Sequence, residues 1–432
     1  MKKIFQIFVL LASCALFISC AAQKSSISAT VQKPIARGGT FSVRAFGATG
    51  DGTNKDTVAF QKALDACAAV GGGTVSVPNG YYLIGSIVIG GDTTLRLANN
   101  ASLIGSPDIA DYPLMRIRWE GEFAQGHRAL IFSEKARNIT VTGGSIFGPP
   151  INVSNLRNPR GPSLMEFSEC TNVTLENFST EYERLWSIHP LLCEKFTARN
   201  LVIRSINSNG DGIDVDSCSK VLIEGCNIDT GDDAISLKSG RGEAAIALAR
   251  PTQDVVIRNC TLVSSQFAAI GVGTELSGGI RNVLVENCFI SGHQNAFFLK
   301  SRGGRGGFIE NFTGTYLTVN DSPTLLAINI LNKGVQAEDA VTNTVGKWTR
   351  IQNIHFSNVL VENVSDLVLA QNIPAAMPLD ELSISNVMGT CGRAFRLANM
   401  TNVSLAAIKV TGYRSAFVTQ TNVQGSGLEA PK

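Results

Sequence analysis

A short repeated unit runs through most of this chain and limits the folds open to it. Each unit is an apolar run of the form Asn-Val-x-Val followed by a polar or glycine turn, and units begin at positions 138, 172, 200, 221, 255, 282, 353 and 402. Intervals near 34 and 28 residues fit coils with fixed strands and variable turns, whereas propeller blades and leucine-rich repeats are more regular. The pattern predicts an all-β, single-domain right-handed parallel β-helix from about residue 36 to 425.

The composition agrees with a large globular core. Hydrophobic residues make up 44% of the 432 residues and charged residues 17%, and 42 glycines favour β repeats over helices. The formal net charge of +2 gives no long-range field, so nothing indicates nucleic-acid binding. Local Lys and Arg side chains would have to bind any polyanion.

One amphipathic helix is predicted in front of the repeats. Residues 41–48 predict a strand and a glycine-rich turn, and residues 56–70 predict a helix that ends at Gly71-Gly72-Gly73. Its apolar face consists of Phe60, Ala63, Leu64 and Cys67. We expect this helix to cap the open end of the solenoid core.

The N-terminus has the pattern of an export signal. Met1-Lys2-Lys3 precedes an apolar run from Ile4 to Ile18, which predicts residues 1–20 as a lipoprotein-type signal peptide with Cys20 as the lipidated residue. Cys14 is an alternative lipidation site, and a membrane-spanning helix is less favoured because the run is shorter than about 20 residues.

Residues 21–35 then form a polar linker and 426–432 a tail. We expect a lipid-anchored monomer in the periplasm or on the outer membrane or cell surface of a bacterium.

Eight cysteines follow the signal. Cys226, Cys260 and Cys288 share the context Ile-Glu-Gly-Cys, Ile-Arg-Asn-Cys and Val-Glu-Asn-Cys, and no Cys-x-x-Cys pair exists. This pattern predicts a ladder of buried small residues at equivalent positions, not a metal site.

Two acidic motifs carry the chemistry. Aligning the apolar residues of 213–215 with those of 235–237 gives an offset of 22 residues, which stacks Asp211 on Asp233 with Asp232 beside them. The following coils place Lys300 over Lys238. Glycoside hydrolysis needs one carboxyl group that donates a proton and one that activates water, and crowded carboxylates differ in proton affinity. A calcium site is the alternative, since clustered carboxylates also bind hard cations.

At this point the chain resembles the polygalacturonases, family 28 of the glycoside hydrolases, which are right-handed parallel β-helices that cut pectin backbones with inversion. The resemblance covers nearly all of the chain after the signal. It is carried by Phe46-Gly47-Ala48-Thr49-Gly50-Asp51-Gly52, Gly71-Gly72-Gly73-Thr74-Val75, Trp119-Glu120-Gly121, Trp186-Ser187-Ile188-His189-Pro190, Asn209-Gly210-Asp211 and Gly231-Asp232-Asp233.

The resemblance implies Asp232 as the general acid, and Asp211 and Asp233 as the groups that hold and deprotonate water. Inversion calls for acid and base roughly 6.5–9.5 Å apart, which adjacent coils and side-chain splay are expected to supply. The implied partner is plant cell-wall pectic polysaccharide or its oligosaccharides, and no cofactor or metal is expected.

Two family positions differ. Phe267 stands where the Gly-His-Gly motif has histidine, and Phe298 where the Arg-Ile-Lys motif has arginine, while Lys300 is kept. Phenyl rings suit the methyl group of a neutral deoxysugar better than a uronate. We therefore expect rhamnogalacturonan or decorated galacturonan as substrate, with Lys300, Arg302 and Arg305 available to a neighbouring uronate. A solvated turn is the alternative reading of the two arginines.

Further substrate contacts are expected from Asn209, beside the acids, and from His189, next to Trp186; a structural hydrogen-bonded histidine is the alternative. Two other functions stay open. One is a polysaccharide lyase on the same scaffold, which the Asp232-Asp233 pair disfavours, and the other is a catalytically impaired carbohydrate-binding β-helix. The sequence does not decide between endo and exo cutting, which depends on loops such as 241–251.

Overall fold

The computed structural model describes residues 38–151, 159–182, 185–263, 266–331 and 346–430. The predicted signal peptide, Cys20 and the linker lie outside these residues. Two α-helices are present, α1 Thr57–Ala69 and α2 Gly242–Leu248. Among the described helices, none is both long and apolar enough to cross a membrane.

The strands are short in the first two thirds of the chain and longer afterwards. The first half comprises β1 Thr40–Ser42, β2 Asp51–Lys55, β3 Gly73–Val77, β4 Gly80–Ile84, β5 Ile87–Val88, β6 Thr93–Leu97, β7 Ala101–Gly105, β8 Leu114–Trp119, β9 Glu122–His127, β10 Ile131–Glu134, β11 Arg137–Thr142, β12 Ser145–Phe147, β13 Met165–Ser168, β14 Thr171–Glu176, β15 Ser179–Glu181 and β16 Ile188–Leu191. The second half comprises β17 Glu194–Arg199, β18 Val202–Ser205, β19 Ile213–Asp216, β20 Ser219–Glu224, β21 Asn227–Thr230, β22 Ile235–Lys238, β23 Thr252–Arg258, β24 Thr261–Val263, β25 Ala268–Val272, β26 Ile280–Ser291, β27 Asn295–Arg302, β28 Phe308–Asn320, β29 Thr324–Leu331, β30 Arg350–Gln371, β31 Leu379–Thr411 and β32 Val418–Ser426.

Each strand pairs in parallel with its equivalent in the next coil, so the described chain forms the predicted parallel β-helix. The stack that matters most here, which we call the first sheet, runs through β13, β16, β19, β22, β25, β27 and β29 and continues in β30, β31 and β32. Only β8 and β9 pair antiparallel among the described strands, as a separate hairpin.

In-register stacking builds the core. Ile213, Ile235, Ile270, Phe297 and Leu326 follow one another in a single column of the first sheet, and all are fully buried. Alternate residues of each strand face outward, because successive side chains point to opposite faces. One strand can therefore serve the core and an outer surface together.

The predicted capping helix is confirmed as α1, whose buried residues include all four of the predicted apolar face. The strand predicted from Phe41 is shorter than expected and ends at Ser42, while the predicted glycine turn is present. Val43–Phe46 is a 3-10 turn, and it closes at Gly47, which has φ 103 and donates its N–H to the carbonyl of Arg44. A glycine adopts this left-handed conformation at no steric cost, so the chain turns there.

The cysteine ladder is also confirmed. Cys226, Cys260 and Cys288 are buried, and each directs its thiol toward a backbone carbonyl. Cys170, Cys193 and Cys218 form a second buried set that was not predicted. All eight cysteines among the described residues are free thiols.

The turns between sheets are held by ladders of asparagine. Asn282, Asn311 and Asn353 each have φ between 55 and 58, and each donates an amide N–H to the side chain one coil earlier. Asparagine tolerates the left-handed region and its amide can both donate and accept. The repeated Asn of the sequence unit is therefore a turn residue with a structural role.

Replacing Asn311 should test this role. We expect Asn311→Ala to lower the free energy of unfolding by about 1–3 kcal/mol. The left-handed conformation is less favourable for alanine, and the ladder hydrogen bonds of the amide are lost. Asn311→Gly, the control, keeps the backbone freedom and should lose less. Denaturant unfolding followed by circular dichroism measures both, and an alanine variant as stable as the parent would contradict the ladder's role.

Candidate active site

The three acidic residues meet where strands β19 and β22 begin. Ile213 pairs with Ile235, which confirms the offset of 22 residues and sets Asp211 and Asp233 in neighbouring coils. One carboxylate oxygen from each of Asp211, Asp232 and Asp233 lies within 4.8 Å of the others. These oxygens are closer than the roughly 6.5–9.5 Å expected for an inverting pair, because the side chains converge instead of splaying.

The exposure of the three carboxylates differs. Asp211 and Asp233 are 3% and 1% exposed, whereas Asp232 is partly exposed. The Asp232 carboxylate accepts the backbone N–H groups of Asp233, at 3.0 Å, and of Asn209, at 3.3 Å. Only Asp232 therefore combines a fixed position with surface that a substrate can reach.

The backbone leaves room for this cluster. A Cβ atom on Gly271, in the next strand β25, would lie 2.2 Å from Oδ2 of Asp233. Glycine at this position is thus a requirement of the close approach, and any larger residue displaces the Asp233 carboxylate.

Two lysines balance the acids. The Nζ atom of Lys300 lies 2.9 Å from Oδ2 of Asp233. Lys238 lies 3.3 Å from Oδ1 of Asp214 and 3.9 Å from both Asp211 and Glu275. Two ammonium groups already occupy the surroundings of the cluster, so a hard cation would meet positive charge there, which disfavours the calcium alternative.

Burial and mutual repulsion raise the proton affinity of the site. Burial raises the pKa of Asp211 well above its usual range, and the neighbouring Asp214 and Asp232 add to the rise. The pKa of Asp232 is raised by burial and by Asp233, while Lys300 opposes the rise. Burial raises the pKa of Asp214 to about 6 against the effect of Lys238. The pKa values of Asp211 and Asp232 are therefore both raised, and of the two only Asp232 is partly exposed.

Lys238, Asp214 and Glu275 were not among the predicted site residues. The available signal was the alternation along β19, which turns Asp214 outward, and the pairing of Asp216 with Lys238 in β22. Glu275 had no such signal, because its turn brings it to Lys238 only in three dimensions.

The two substituted phenylalanines lie together beside the retained lysine. The ring centroids of Phe267 and Phe298 are 5.8 Å apart, and Nζ of Lys300 is 4.4 Å from the Phe267 ring and 5.5 Å from the Phe298 ring. With Ala268 and Ala327 they form a small apolar cluster separate from the main core. Phe267 is its more exposed member, so an apolar wall borders the acid cluster.

The structure places His189 below the surface. It is 1% exposed, and its Nδ1 lies 3.6 Å from Glu166 and its Nε2 3.9 Å from Asp216. Burial lowers the pKa of His189, but these two carboxylates outweigh it and raise the pKa to about 9. The ring is therefore a buried cation in an ion network, and it offers no exposed atoms for the predicted sugar contact.

The hairpin β8–β9 covers this network. Arg118 contacts Asp216 at 3.3 Å, and the ring of Trp119 lies 4.4 Å from that of Trp186. At its tip, Glu122 forms a 2.6 Å ion pair with Arg241, the residue before α2. The hairpin and the predicted 241–251 loop thus make one wall beside the acid cluster.

The remaining predicted residues differ in exposure, since one is at the surface and two are buried. Asn209 is exposed, with φ 63, beside Asp232. Arg302 is 6% exposed at the end of β27, and Arg305 is fully buried. The solvated-turn alternative for these two arginines is therefore wrong, and the same burial leaves Arg305 no surface for the expected contact with a uronate and Arg302 very little. Cys20 lies outside the described residues.

Known proteins share both the sequence and the fold. The family profile described as "Glycosyl hydrolases family 28" matches residues 67–407. A "Probable polygalacturonase" of Vitis vinifera is 30% identical over 365 residues, covering 79% of this chain and 72% of that one. An "Exo-poly-alpha-D-galacturonosidase" of Dickeya chrysanthemi is 25% identical over 320 residues, covering 61% of this chain and 52% of that one.

Among solved structures, the family 28 exopolygalacturonase of Yersinia enterocolitica has a TM-score of 0.80 at 21% identity, over 92% of this chain and 80% of that one. The exopolygalacturonase of Thermotoga maritima has a TM-score of 0.72 at 23% identity, over 92% and 94%. These neighbours confirm the right-handed parallel β-helix. The profile match spans most of the chain, and this protein belongs to glycoside hydrolase family 28.

Proposed function

We propose that this glycoside hydrolase cleaves pectic backbones with inversion, with Asp232 as general acid and with Asp211 and Asp233 holding and activating water. The observation that carries the proposal is the difference in exposure within one carboxylate cluster. A general acid must reach the glycosidic oxygen and hold a proton, and Asp232 meets both conditions.

Asp233 suits the opposite role. Its ion pair with Lys300 supplies a negatively charged proton acceptor next to the partly exposed Asp232. Asp211 lies within 4.8 Å of both other carboxylates and can accept a hydrogen bond from the same water. Asp233, Lys300 and Asp211 are held in place before the substrate binds, so they can stabilise the charge that develops as water attacks.

The stereochemistry rests on the family resemblance, not on the spacing. One oxygen from each of the three carboxylates lies within 4.8 Å of the others. This distance is nearer to the separation of about 5–5.5 Å that is typical of retaining enzymes. The spacing rule applies to sites with one acid and one base. Here two of the three carboxylates can hold the water while the third donates a proton to the leaving oxygen.

We propose rhamnogalacturonan or decorated galacturonan as the substrate. The wall of Phe267 and Phe298 presents C–H surface where the family has a cation and an imidazole, which favours a methyl-bearing neutral sugar. Lys300 lies at the edge of that wall and can meet a uronate in the neighbouring position. The relatives named above are polygalacturonases or exo-acting enzymes by their descriptions, and an alternating backbone is our proposal for this chain.

We further propose that the enzyme acts as a monomer outside the cytoplasm, tethered by a lipid on Cys20. The pattern of residues 1–20 supports this location. Pectic polysaccharide is too large to enter a cell intact, so an exported enzyme meets its substrate where the polymer is.

The first test is the loss of the acid. We expect wild-type protein to release saturated oligosaccharides from defined pectin backbones, with the inverted anomer seen first by NMR. Asp232→Asn should lower kcat about 10²–10⁴-fold, because general acid catalysis contributes about that much. Asp229→Asn, three residues earlier in the same coil at a partly exposed position of β21, serves as the matched control.

Three results would contradict this assignment. Full activity of Asp232→Asn would remove Asp232 from the acid role. A 4,5-unsaturated product, detected by ultraviolet absorbance, would indicate a lyase, and binding without any product would indicate an impaired carbohydrate-binding protein.

The second test concerns the substrate. Phe267→His combined with Phe298→Arg restores an imidazole and a guanidinium beside Lys300, so the ratio of kcat/KM for homogalacturonan to that for rhamnogalacturonan should rise at least about tenfold. Phe289→His, at an exposed position of β26, is the control for added polarity. An unchanged ratio in a folded double variant would contradict the role of the phenyl wall.

The third test is the pH profile. Because Asp232 acts in its protonated form, activity should be lost as the pH rises through its raised pKa. Lys300 lowers that pKa, so Lys300→Met should move the basic limb of kcat/KM to higher pH, whatever its effect on the maximum. Lys62→Met on the surface of α1 is the control. A basic limb that stays in place, or moves to lower pH, would contradict the coupling.

A further inference from the structure

The last coils of the β-helix contain a groove of about 530 Å³ that is separate from the acid cluster. It is lined by residues of three successive coils, at 363–364 in β30, at 390–393 in β31, and at Gly412, Arg414 and Ser415 after β31. Its charged lining residues, within the described chain, are Arg393 and Arg414, and no acidic side chain lines it. The groove therefore has the charge that an anion requires.

A buried carboxylate fixes Arg393 of this groove together with Arg396 beside it. Asp366 is 4% exposed, and it accepts two hydrogen bonds from Arg393, at 2.8 and 2.7 Å, and one from Arg396, at 2.9 Å. One carboxylate therefore neutralises only one of the two guanidinium groups, and one positive charge remains unbalanced. The side chains of Arg393 and Arg396 remain 47% and 35% exposed, so their outer faces are available to a ligand.

The other lining groups suit a sugar. Thr390 and Ser415 supply hydroxyl groups, and Arg414, which follows the partly exposed Tyr413, is itself exposed. Guanidinium and hydroxyl groups in one groove match the carboxylate and hydroxyl groups of a uronic acid.

The groove lies on the same side of the solenoid as the acid cluster. The carbonyl of Ala268 accepts from the N–H of Ala234, the residue after Asp233. From Ala268 the column passes in register through Asn295 and Thr324 to Asp366 and then Arg393. Four strand spacings separate Ala268 from Arg393, about 19 Å, which a segment of several sugar units spans.

We infer that this groove is a distal binding site for a uronate of the same acidic polysaccharide whose backbone meets Asp232. The inference rests on the proposed function, since it identifies a second contact for the proposed substrate. A contact several units from the cleavage point strengthens the binding of long chains and leaves short ones unaffected, because a short chain cannot reach both positions.

The test combines Arg393→Gln and Arg414→Gln, with Arg414→Gln alone as a second variant that leaves the Asp366 ion pairs intact. Arg96→Gln removes an exposed arginine of β6 as the matched control. We expect KM for long rhamnogalacturonan oligosaccharides to rise about two- to fivefold for each arginine, the range for partly exposed charge pairs, while kcat/KM for the shortest rhamnogalacturonan fragment that the parent cleaves stays unchanged. An unchanged KM for the long oligosaccharides in both variants would overturn the inference, as would an equal change on the short fragment.

Calorimetric binding separates this inference from the proposed function. If the wild-type protein hydrolyses no pectin, the proposed function fails, yet weaker binding of long rhamnogalacturonan oligosaccharides by the double variant still supports the groove. Equal binding by variant and parent overturns it. Binding of neutral galacto-oligosaccharides as tightly as the acidic ones would also overturn it, since the guanidinium groups would then have no role in recognition.

Discussion

Parallel pairing of one coil with the next is the interaction on which the rest of this structure depends. It repeats every position at the usual strand spacing of about 4.8 Å, so a residue is defined by its column as much as by its neighbours in sequence. The column through Ile213, Ile235 and Ile270 makes the core, and the turn two residues earlier brings Asp211 and Asp233 together. The same register extends to Asp366 and Arg393. Core, acid cluster and distal groove are thus three results of one stacking rule.

Stacking alone would leave like charges side by side. Lys238 and Lys300, which lie on the strands that follow the acids, offset this repulsion in part. Burial and the neighbouring Asp233 raise the pKa of Asp232, and the two lysines oppose that rise. A cluster of this kind holds both a proton to donate and a charge to accept one, as acid–base hydrolysis requires.

The register and the core follow from sequence because they depend on local alternation and on repeated turns. The offset of 22 residues, the capping helix and the cysteine ladder were all predicted from such patterns and are confirmed. The turn at Val43–Phe46 was missed because so short a segment of mixed apolar and charged residues fits a strand and a 3-10 turn equally well.

The details of the site were harder to predict for a different reason. Whether a side chain is covered depends on elements far away in sequence: the hairpin β8–β9 buries the ion network of His189, and nothing near residue 189 signals this. The convergence of the three carboxylates depends on side-chain rotamers and on the space left by Gly271, which register does not specify. Glu275 reaches Lys238 through a turn whose path has no repeat to follow.

The central claim is that Asp232 gives its proton to the leaving oxygen, and a substrate that needs no such proton tests it most directly. A strongly acidic phenol leaves an aryl glycoside without being protonated, whereas the sugar hydroxyl released from a natural linkage needs a proton from the acid. Asp232→Asn should therefore retain most of its kcat on an aryl rhamnoside or aryl galacturonide of low leaving-group pKa, whichever the parent enzyme cleaves, while losing it on the oligosaccharide. Equal losses on both substrates would mean that Asp232 supports the site in another way, and the proton donor would have to be sought elsewhere in the cluster.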